Sequence, residues 1–247
     1  MTKSTPVVSV VIPTYCEEET IEGCLKSIKH QNFDYGSIES IVVDSHSPDN
    51  TQAYAKKCAD KVIDLDARGV GKARNAGARA AEGQILVFLD ADTYLEPNFV
   101  NEIYRDFKTP RVVCVSGVLK SLELLKPLEN LFATSHYGFT NKIADITARL
   151  GFPMFPSVCC CARKAAFHKV GGFAEDIACG EDITFSRKMG QVGKCVVNNR
   201  ATAYTSVRRI TACGVRKMYS MYFTNYVKFF FLNQKPWVQD FPHIRTV

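Results

Sequence analysis

The chain has 247 residues, 46% of them hydrophobic, which is enough to bury a full core, and it carries a net charge of +6. No apolar run reaches the roughly eighteen residues of a membrane-spanning helix. The start lacks the charge, apolar stretch and cleavage site of a secretory signal, and no Asn-x-Ser/Thr site occurs, so secretion has no support and a cytoplasmic protein is expected.

In chain order, β-branched apolar runs alternate with segments of helical period, the pattern of a mostly parallel, Rossmann-like α/β sheet with helices on both faces. Val7 to Ile12 reads as a buried strand. Glu17 to Lys29 follows as a helix, with Ile21, Cys24, Leu25 and Ile28 on one face. Ile38 to Asp44 is the second strand, and Asp49 or Asn50 caps a helix that starts near Thr51. Lys61 to Leu65 is a short strand, Gly71 to Ala81 an Ala-rich helix, and Ile85 to Leu89 an apolar central strand that delivers Asp90-Ala91-Asp92 at its carboxyl end.

Beyond it, Glu96 to Phe107 is helical with Pro97 in the first turn, and Val112 to Gly117 is a strand. Leu122 to Leu150 is helical and closed by Pro153 and Pro156, and Val158 to Ala162 is a short strand. A turn at Gly171-Gly172-Phe173 precedes a helix from Glu181 to Met189, a strand from Lys194 to Val197, and a helix over Val215 to Leu232 rich in Tyr, Phe and basic groups. One domain, 1–207, with a nucleotide-binding half over about 1–95 and an acceptor half over about 96–207, is expected to carry a C-terminal extension, 208–247.

Charge and cysteines are unevenly placed. Residues 200–247 hold eight Lys or Arg against Asp240 alone, a net of +7, which leaves −1 for the first 199. Such an end faces something anionic. Of ten cysteines, seven stand singly, and the run Cys159-Cys160-Cys161 points alternately to opposite faces of a strand, so it cannot converge on one ion. Buried, reduced thiols are the simple reading; intracellular disulfides are the other.

Four polar clusters fall where open parallel sheets bind ligands, beyond the strand carboxyl ends: 13–17, 44–49, 69–75 and 90–92. Asp90 and Asp92 are the sharpest feature. Two carboxylates one residue apart can share a hard cation whose other positions go to diphosphate oxygens and water, although the same spacing also occurs in solvated turns. The run Gly69-Val70-Gly71-Lys72 fits neither a Walker loop, since Ala73 stands where Ser or Thr is needed, nor a dinucleotide fingerprint, since Arg74 stands where the third Gly belongs. It remains an entry to a helix N-terminus, with Lys72 and Arg74 within reach of phosphate or base. Glu181-Asp182, after Gly180, is either a helix cap or a general base for an acceptor hydroxyl. His30, His136, His168 and His243 have no partner in sequence, and His46 reads as a turn residue.

Together, Val10-Val11-Ile12-Pro13-Thr14-Tyr15-Cys16-Glu17, Ile41-Val42-Val43-Asp44 with Ser47 and Asp49, Ala73-Arg74-Asn75-Ala76-Gly77, Phe88-Leu89-Asp90-Ala91-Asp92, and Gly171-Gly172-Phe173 followed by Glu181-Asp182 resemble the family 2 glycosyltransferases, which include the dolichyl-phosphate mannose synthases. The five motifs occur in family order from about Val7 to Met189. The resemblance implies a GT-A fold and a nucleotide-sugar donor. Pro13, Thr14, Tyr15, Glu17 and Asp44 would contact its base and ribose, and Lys72, Arg74 and Ala91 would lie near the nucleotide. Asp90 and Asp92 would take Mg²⁺ or Mn²⁺, and Asp182 would act as base with Glu181 in support, inverting the anomeric centre. The acceptor would be a glycan or a lipid-linked group.

Ser45 and His46 replace a frequent Asp and Gly of the family, and Tyr94 replaces a Gln of some dolichyl-phosphate enzymes. Arg208-Arg209 and the aromatic-basic stretch to residue 235 resemble a family tail that lids the diphosphate and leads to a membrane-facing helix; an amphipathic helix packed on the domain is the alternative. Two rivals differ in what they require. A sugar nucleotidyltransferase calls for a Gly-rich loop after the first strand, where Pro-Thr-Tyr-Cys-Glu stands, and a nucleic-acid-binding module calls for metal-indifferent, salt-sensitive binding to any single strand. No nucleic-acid partner is expected.

Overall fold

A computed structural model describes residues 5–122, 127–156, 158–177 and 180–208, together with 220 and 224. The first strand, β1 (Val8–Thr14), is buried almost throughout and pairs in parallel with β2 (Ile38–Asp44) in a register that sets Thr14 beside Asp44. On the other side of β1 lies β4 (Ile85–Leu89), and beyond β2 lies β3 (Lys61–Asp64), both parallel. The remaining strands are β5 (Thr93–Leu95), β6 (Val112–Ser121), β7 (Cys159–Arg163) and β8 (Lys194–Thr205). They complete one eight-stranded sheet in the order β3-β2-β1-β4-β7-β6-β8-β5. β7 runs antiparallel to both β4 and β6, β8 runs parallel to β6, and β5 antiparallel to β8. Six strands therefore share one direction, and their carboxyl ends share one rim.

Alternation along the strands divides the core in two. Val8, Val10 and Ile12 of β1 and Ile85, Val87 and Leu89 of β4 face one side, with α1 (Ile21–Lys29) and α4 (Phe99–Phe107) packed over them. Val11, Leu86 and Phe88 face the other, under α3 (Val70–Ala80), α6 (Lys164–Lys169) and α7 (Glu181–Val192). Gly77 lets α3 sit this low, because a Cβ there would lie 2.3 Å from a Val11 methyl. The remaining helices are α2 (Thr51–Cys58) and α5 (Pro127–Arg149). Helices on both faces of a mostly parallel sheet are what the sequence predicts.

The Cys triplet divides as the alternation demands, with Cys159 and Cys161 in one core and Cys160 in the other. The eight described cysteines are free thiols. Burial, with its thiol neighbours Cys160 and Cys195, pushes Cys114 up, as befits an inert core thiol. Element ends differ more. Residues 17–20 form a turn rather than the start of α1, and Pro97 precedes α4 instead of opening it. β6 and β8 run on to Ser121 and Thr205 because they pair with each other through two register irregularities. Asp49 accepts the Thr51 N–H at 3.1 Å, while the Asn50 amide turns to Glu18.

At the opposite end of the sheet, Glu39 ties three strands. It accepts from Ser9 Oγ at 2.6 Å and from the Glu82 N–H at 2.7 Å, and pairs with Lys61 at 2.9 Å. Burial pushes this carboxyl up, but the hydrogen bonds from Ser9, Glu82 and Lys61 outweigh it, and the group titrates below its ordinary 4.5. A depressed carboxylate contributes stability that is fully present above its unfolded value and lost as pH falls through its folded one. Glu39→Gln is therefore expected to cost about 1–3 kcal/mol at neutral pH. It should also make the loss of stability below the ordinary carboxylate range shallower than in the parent, measured by urea unfolding across a pH series.

Candidate active site

Where β1 and β2 end, one buried carboxylate organises the loops. Asp44 Oδ1 accepts from Thr14 Oγ1 at 2.8 Å and from Ser47 Oγ at 2.6 Å, and its Oδ2 accepts from the Ser47 N–H at 2.8 Å and Gln52 Nε2 at 3.1 Å. Ser47 Oγ in turn accepts the Cys16 N–H at 2.9 Å, and Thr51 Oγ1 accepts the Glu17 N–H at 2.8 Å. These bonds hold Cys16 and His46 at positive φ, 53° and 55°, so Pro13, Tyr15 and Glu17 are presented from a fixed turn. The Tyr15 ring lies under the Arg68 guanidinium, 3.4 Å from the ring centroid, and its hydroxyl accepts from Arg68 Nη2. Sequence reasoning missed Arg68; its only signal is its place one residue before the Gly69-Val70-Gly71 entry.

The acids at the end of β4 meet two arginines. Arg74, on the first turns of α3 and 2% exposed, donates from Nη2 to Asp90 Oδ1 and from Nη1 to Glu181 Oε1, both at 2.8 Å. Its guanidinium stands above the Phe173 ring, within a cluster that includes Phe88 and Phe185. Burial disfavours the charged guanidinium, yet the carboxylates of Asp90 and Glu181 win and raise it above its ordinary range. Arg208, just past β8, donates from Nη2 to Glu17 Oε2 at 2.6 Å and lies 3.1 Å from Asp92 Oδ2. The Ser206 N–H also donates to the Asp92 carbonyl at 3.2 Å, so the exit of β8 is tied to the acidic loop. Under that loop the buried Cys24 thiol is pushed up by desolvation and by the charges of Asp92, Asp90 and Glu17, so it stays protonated.

On the α7 side, Gly180 at φ 87° turns the chain into the helix and sets Glu181 and Asp182 in its first turn. Glu181 points inward to Arg74; Asp182 is half-buried, and its Oδ1 accepts the Ile183 N–H at 2.8 Å. Asn75 joins α3 to the preceding turn, accepting the Phe173 N–H at 3.0 Å and donating to the Phe173 carbonyl at 2.9 Å. Gly172, at φ 69°, makes room for it, since a Cβ there would lie 2.6 Å from Asn75 Oδ1. Pro13, Thr14, Tyr15, Glu17, Asp44, Arg74, Asp90, Ala91, Asp92, Glu181, Asp182 and Arg208 thus all stand at the carboxyl-end rim. Lys72 is half-buried on α3 and makes no hydrogen bond or ion pair among the described residues. Arg209 and the predicted helix over Val215 to Leu232 lie outside the described residues, apart from 220 and 224.

The chain is similar in sequence and in fold to known proteins. AglE, a glycosyltransferase of Haloferax volcanii, is 26% identical over 200 residues, 78% of this chain and 64% of AglE. The poly(ribitol-phosphate) β-N-acetylglucosaminyltransferase TarS of Staphylococcus aureus is 30% identical over 122 residues, 44% of this chain and 21% of TarS. The chain spans less than two thirds of the length of these relatives. Among solved structures, TarS 1-349 in complex with UDP-GlcNAc matches with a TM-score of 0.66 at 20% identity, over 90% of this chain and 73% of that one. The mannosyltransferase PcManGT of Pyrobaculum calidifontis, solved with GDP-Man and Mn²⁺, matches with a TM-score of 0.66 at 21% identity, over 90% of this chain and 65% of that one. The fold is the GT-A fold. The family model of glycosyl transferase family 2 matches residues 9–171, a span that takes in β1, β2, the Arg74 segment and the acidic loop, and the chain belongs to that family.

Proposed function

We propose that this chain is a glycosyltransferase that moves a sugar from a nucleotide-sugar donor to an acceptor hydroxyl or lipid phosphate, with a divalent cation and with inversion. The observation that carries the reading is the convergence of Asp90, Asp92, Arg74, Glu181 and Asp182 on one rim. Support also comes from the relatives, whose solved complexes hold UDP-GlcNAc in one case and GDP-Man with Mn²⁺ in the other. Pro13, Tyr15, Glu17 and Asp44 belong to the donor half, about 1–95, and the second carboxylate pair to the acceptor half, about 96–207. A single sheet runs through both halves.

Asp90 and Asp92 suit Mg²⁺ or Mn²⁺. Both are hard oxygen donors, and Asp90 Oδ2 accepts no hydrogen bond among the described residues. No cluster of three or more His, Cys, Asp or Glu accompanies them among the described residues, so diphosphate oxygens and water would complete the set. Such a cation, when bound, offsets the charge that builds on the departing diphosphate. Arg74 holds both Asp90 and Glu181 in position. Asp182, in the first turn of α7 where the helix dipole favours negative charge, takes the proton from the acceptor oxygen as that oxygen attacks the anomeric carbon from the side opposite the diphosphate. Arg208, now between Glu17 and Asp92, is the group that donor binding recruits onto the diphosphate.

Ligand linkage makes the reading testable: Mn²⁺ with the cognate nucleotide sugar or its nucleoside diphosphate is expected to raise the melting temperature, and a panel of UDP and GDP sugars identifies the donor. Asp92→Ala should abolish the metal-dependent part of that rise. If no nucleotide in the panel shifts the parent protein, with or without metal, the reading fails.

A further inference from the structure

We infer that Arg208, parked on Glu17, competes with the metal for Asp92, so that the species this site takes is a divalent cation together with a diphosphate and not the bare cation; the step rests on the proposed use of metal and nucleotide. Arg208 Nη2 donates to both carboxylate oxygens of Glu17, at 2.7 and 2.6 Å, and stands 3.1 Å from Asp92 Oδ2. The three side chains are mostly withdrawn from solvent, with Arg208 25%, Glu17 15% and Asp92 11% exposed. Burial opposes the guanidinium charge, but the Asp92 and Glu17 carboxylates outweigh it and hold Arg208 above its ordinary range. One oxygen of the acidic pair therefore already faces a positive group.

The backbone on either side keeps the guanidinium at this place. Val207 is 1% exposed and belongs to the same core as Ala133 and Tyr137 of α5. The Ser206 N–H donates to the Asp92 carbonyl, and Ser206 Oγ accepts the Arg208 N–H, both at 3.2 Å. The Cα of Arg208 is thus anchored beside the acidic loop, and only its side chain is left to move. Glu17 is anchored too, through its N–H on Thr51 Oγ1 at 2.8 Å and the Thr20 hydroxyl on its Oε2 at 3.0 Å. A residue that the family resemblance assigns to the base or ribose is here the counter-ion of Arg208, a positioning role.

Electrostatics then sets the order of binding. A cation on Asp92 would lie close to the guanidinium in a partly desolvated site, where like charges repel more strongly than in water and salt screens them little. Asp90 cannot replace Asp92 on its own, because its Oδ1 is committed to Arg74 at 2.8 Å. A diphosphate changes the balance: its oxygens accept from Arg208 and ligate the cation, so both positive groups gain a partner at once. Metal and nucleotide thereby favour each other, and by linkage each raises the affinity of the other by the same factor.

Titration of the full chain with Mn²⁺, followed by the paramagnetic resonance signal of the free ion, tests this without recourse to activity. Arg208→Met is expected to bind Mn²⁺ alone about tenfold more tightly than the parent, within the usual range for coupled sites. The factor by which UDP or GDP tightens Mn²⁺ binding should fall in the same variant. Arg208→Gln, which can still bond Glu17 but lacks the charge, carries the same expectation, and the melting temperature reports the folding of each. Adding Asp92→Asn to Arg208→Met should abolish the gain, since the gain comes from the oxygen that the arginine releases. Unchanged or weaker binding of Mn²⁺ alone in both single variants, or a gain that survives Asp92→Asn, overturns the inference; a parent that is still stabilised by Mn²⁺ with nucleotide would then keep the donor reading. If neither parent nor variants bind Mn²⁺ with UDP or GDP, both fall together.

Discussion

Asp182→Asn is expected to lower turnover by about 10²- to 10⁴-fold, the usual contribution of a positioned general base. The substitution keeps size, helix position and the acceptor oxygen for the Ile183 N–H, so the first turn of α7 should stay intact. What would disappear is the carboxylate proposed to remove a proton as the acceptor attacks. Donor affinity, measured by titration with the nucleotide sugar and Mn²⁺, should change little, because Asp182 lies on the acceptor side of the reacting carbon in this reading. A loss confined to kcat, with the donor constant preserved, is the pattern of an interaction made only in the transition state. Unchanged turnover would remove Asp182 from the mechanism, and Glu181 could not take its place while its carboxylate is committed to Arg74.

The second large effect concerns that arginine. Arg74→Met should destabilise the fold by about 3–5 kcal/mol, because it keeps the volume but leaves Glu181 buried, and Asp90 partly buried, without the positive charge between them. Arg74→Lys should recover only part of this, since one ammonium cannot make the two diverging bonds that the guanidinium fork supplies at 2.8 Å each. Urea unfolding gives the magnitude. The Met variant should also bind Mn²⁺ with nucleotide poorly, because Asp90 would no longer be held. A loss of stability below about 1 kcal/mol would place this ion triad among surface pairs of little consequence.

The two effects differ in origin. In the proposed reaction Asp182 would contribute to the chemistry and little to the fold, whereas Arg74 fixes Asp90 and Glu181 with a single side chain and would so couple the fold to that reaction. The two ion pairs offset the burial of a charged residue only 2% exposed on an aromatic cluster. Burial makes the triad rigid, because none of its three charges can leave without stranding another.

Much of the frame follows from the chain read locally. Val8 to Thr14 and Ile85 to Leu89 are apolar on both faces, which is the mark of a central parallel strand, and the small residues of α3 leave little doubt that a sheet lies against them. The acidic pair that follows such a strand could be placed at a ligand-bearing rim without coordinates. Other features depend on partners far away in sequence. β5 has only three residues, and the second half of β8 is mostly small and polar; both become strands because β8 pairs with β6 and β5 with β8. Arg74 looks like a basic first-turn residue until α7 brings Glu181 to it across 107 positions, and Arg208 until β8 delivers it to Glu17 across 191. Local periodicity states which side of an element is buried, and motifs state which atoms a site offers. Which side chains neutralise one another is decided only when the sheet closes, because the energy of a buried charge depends on neighbours that the sequence lists far apart.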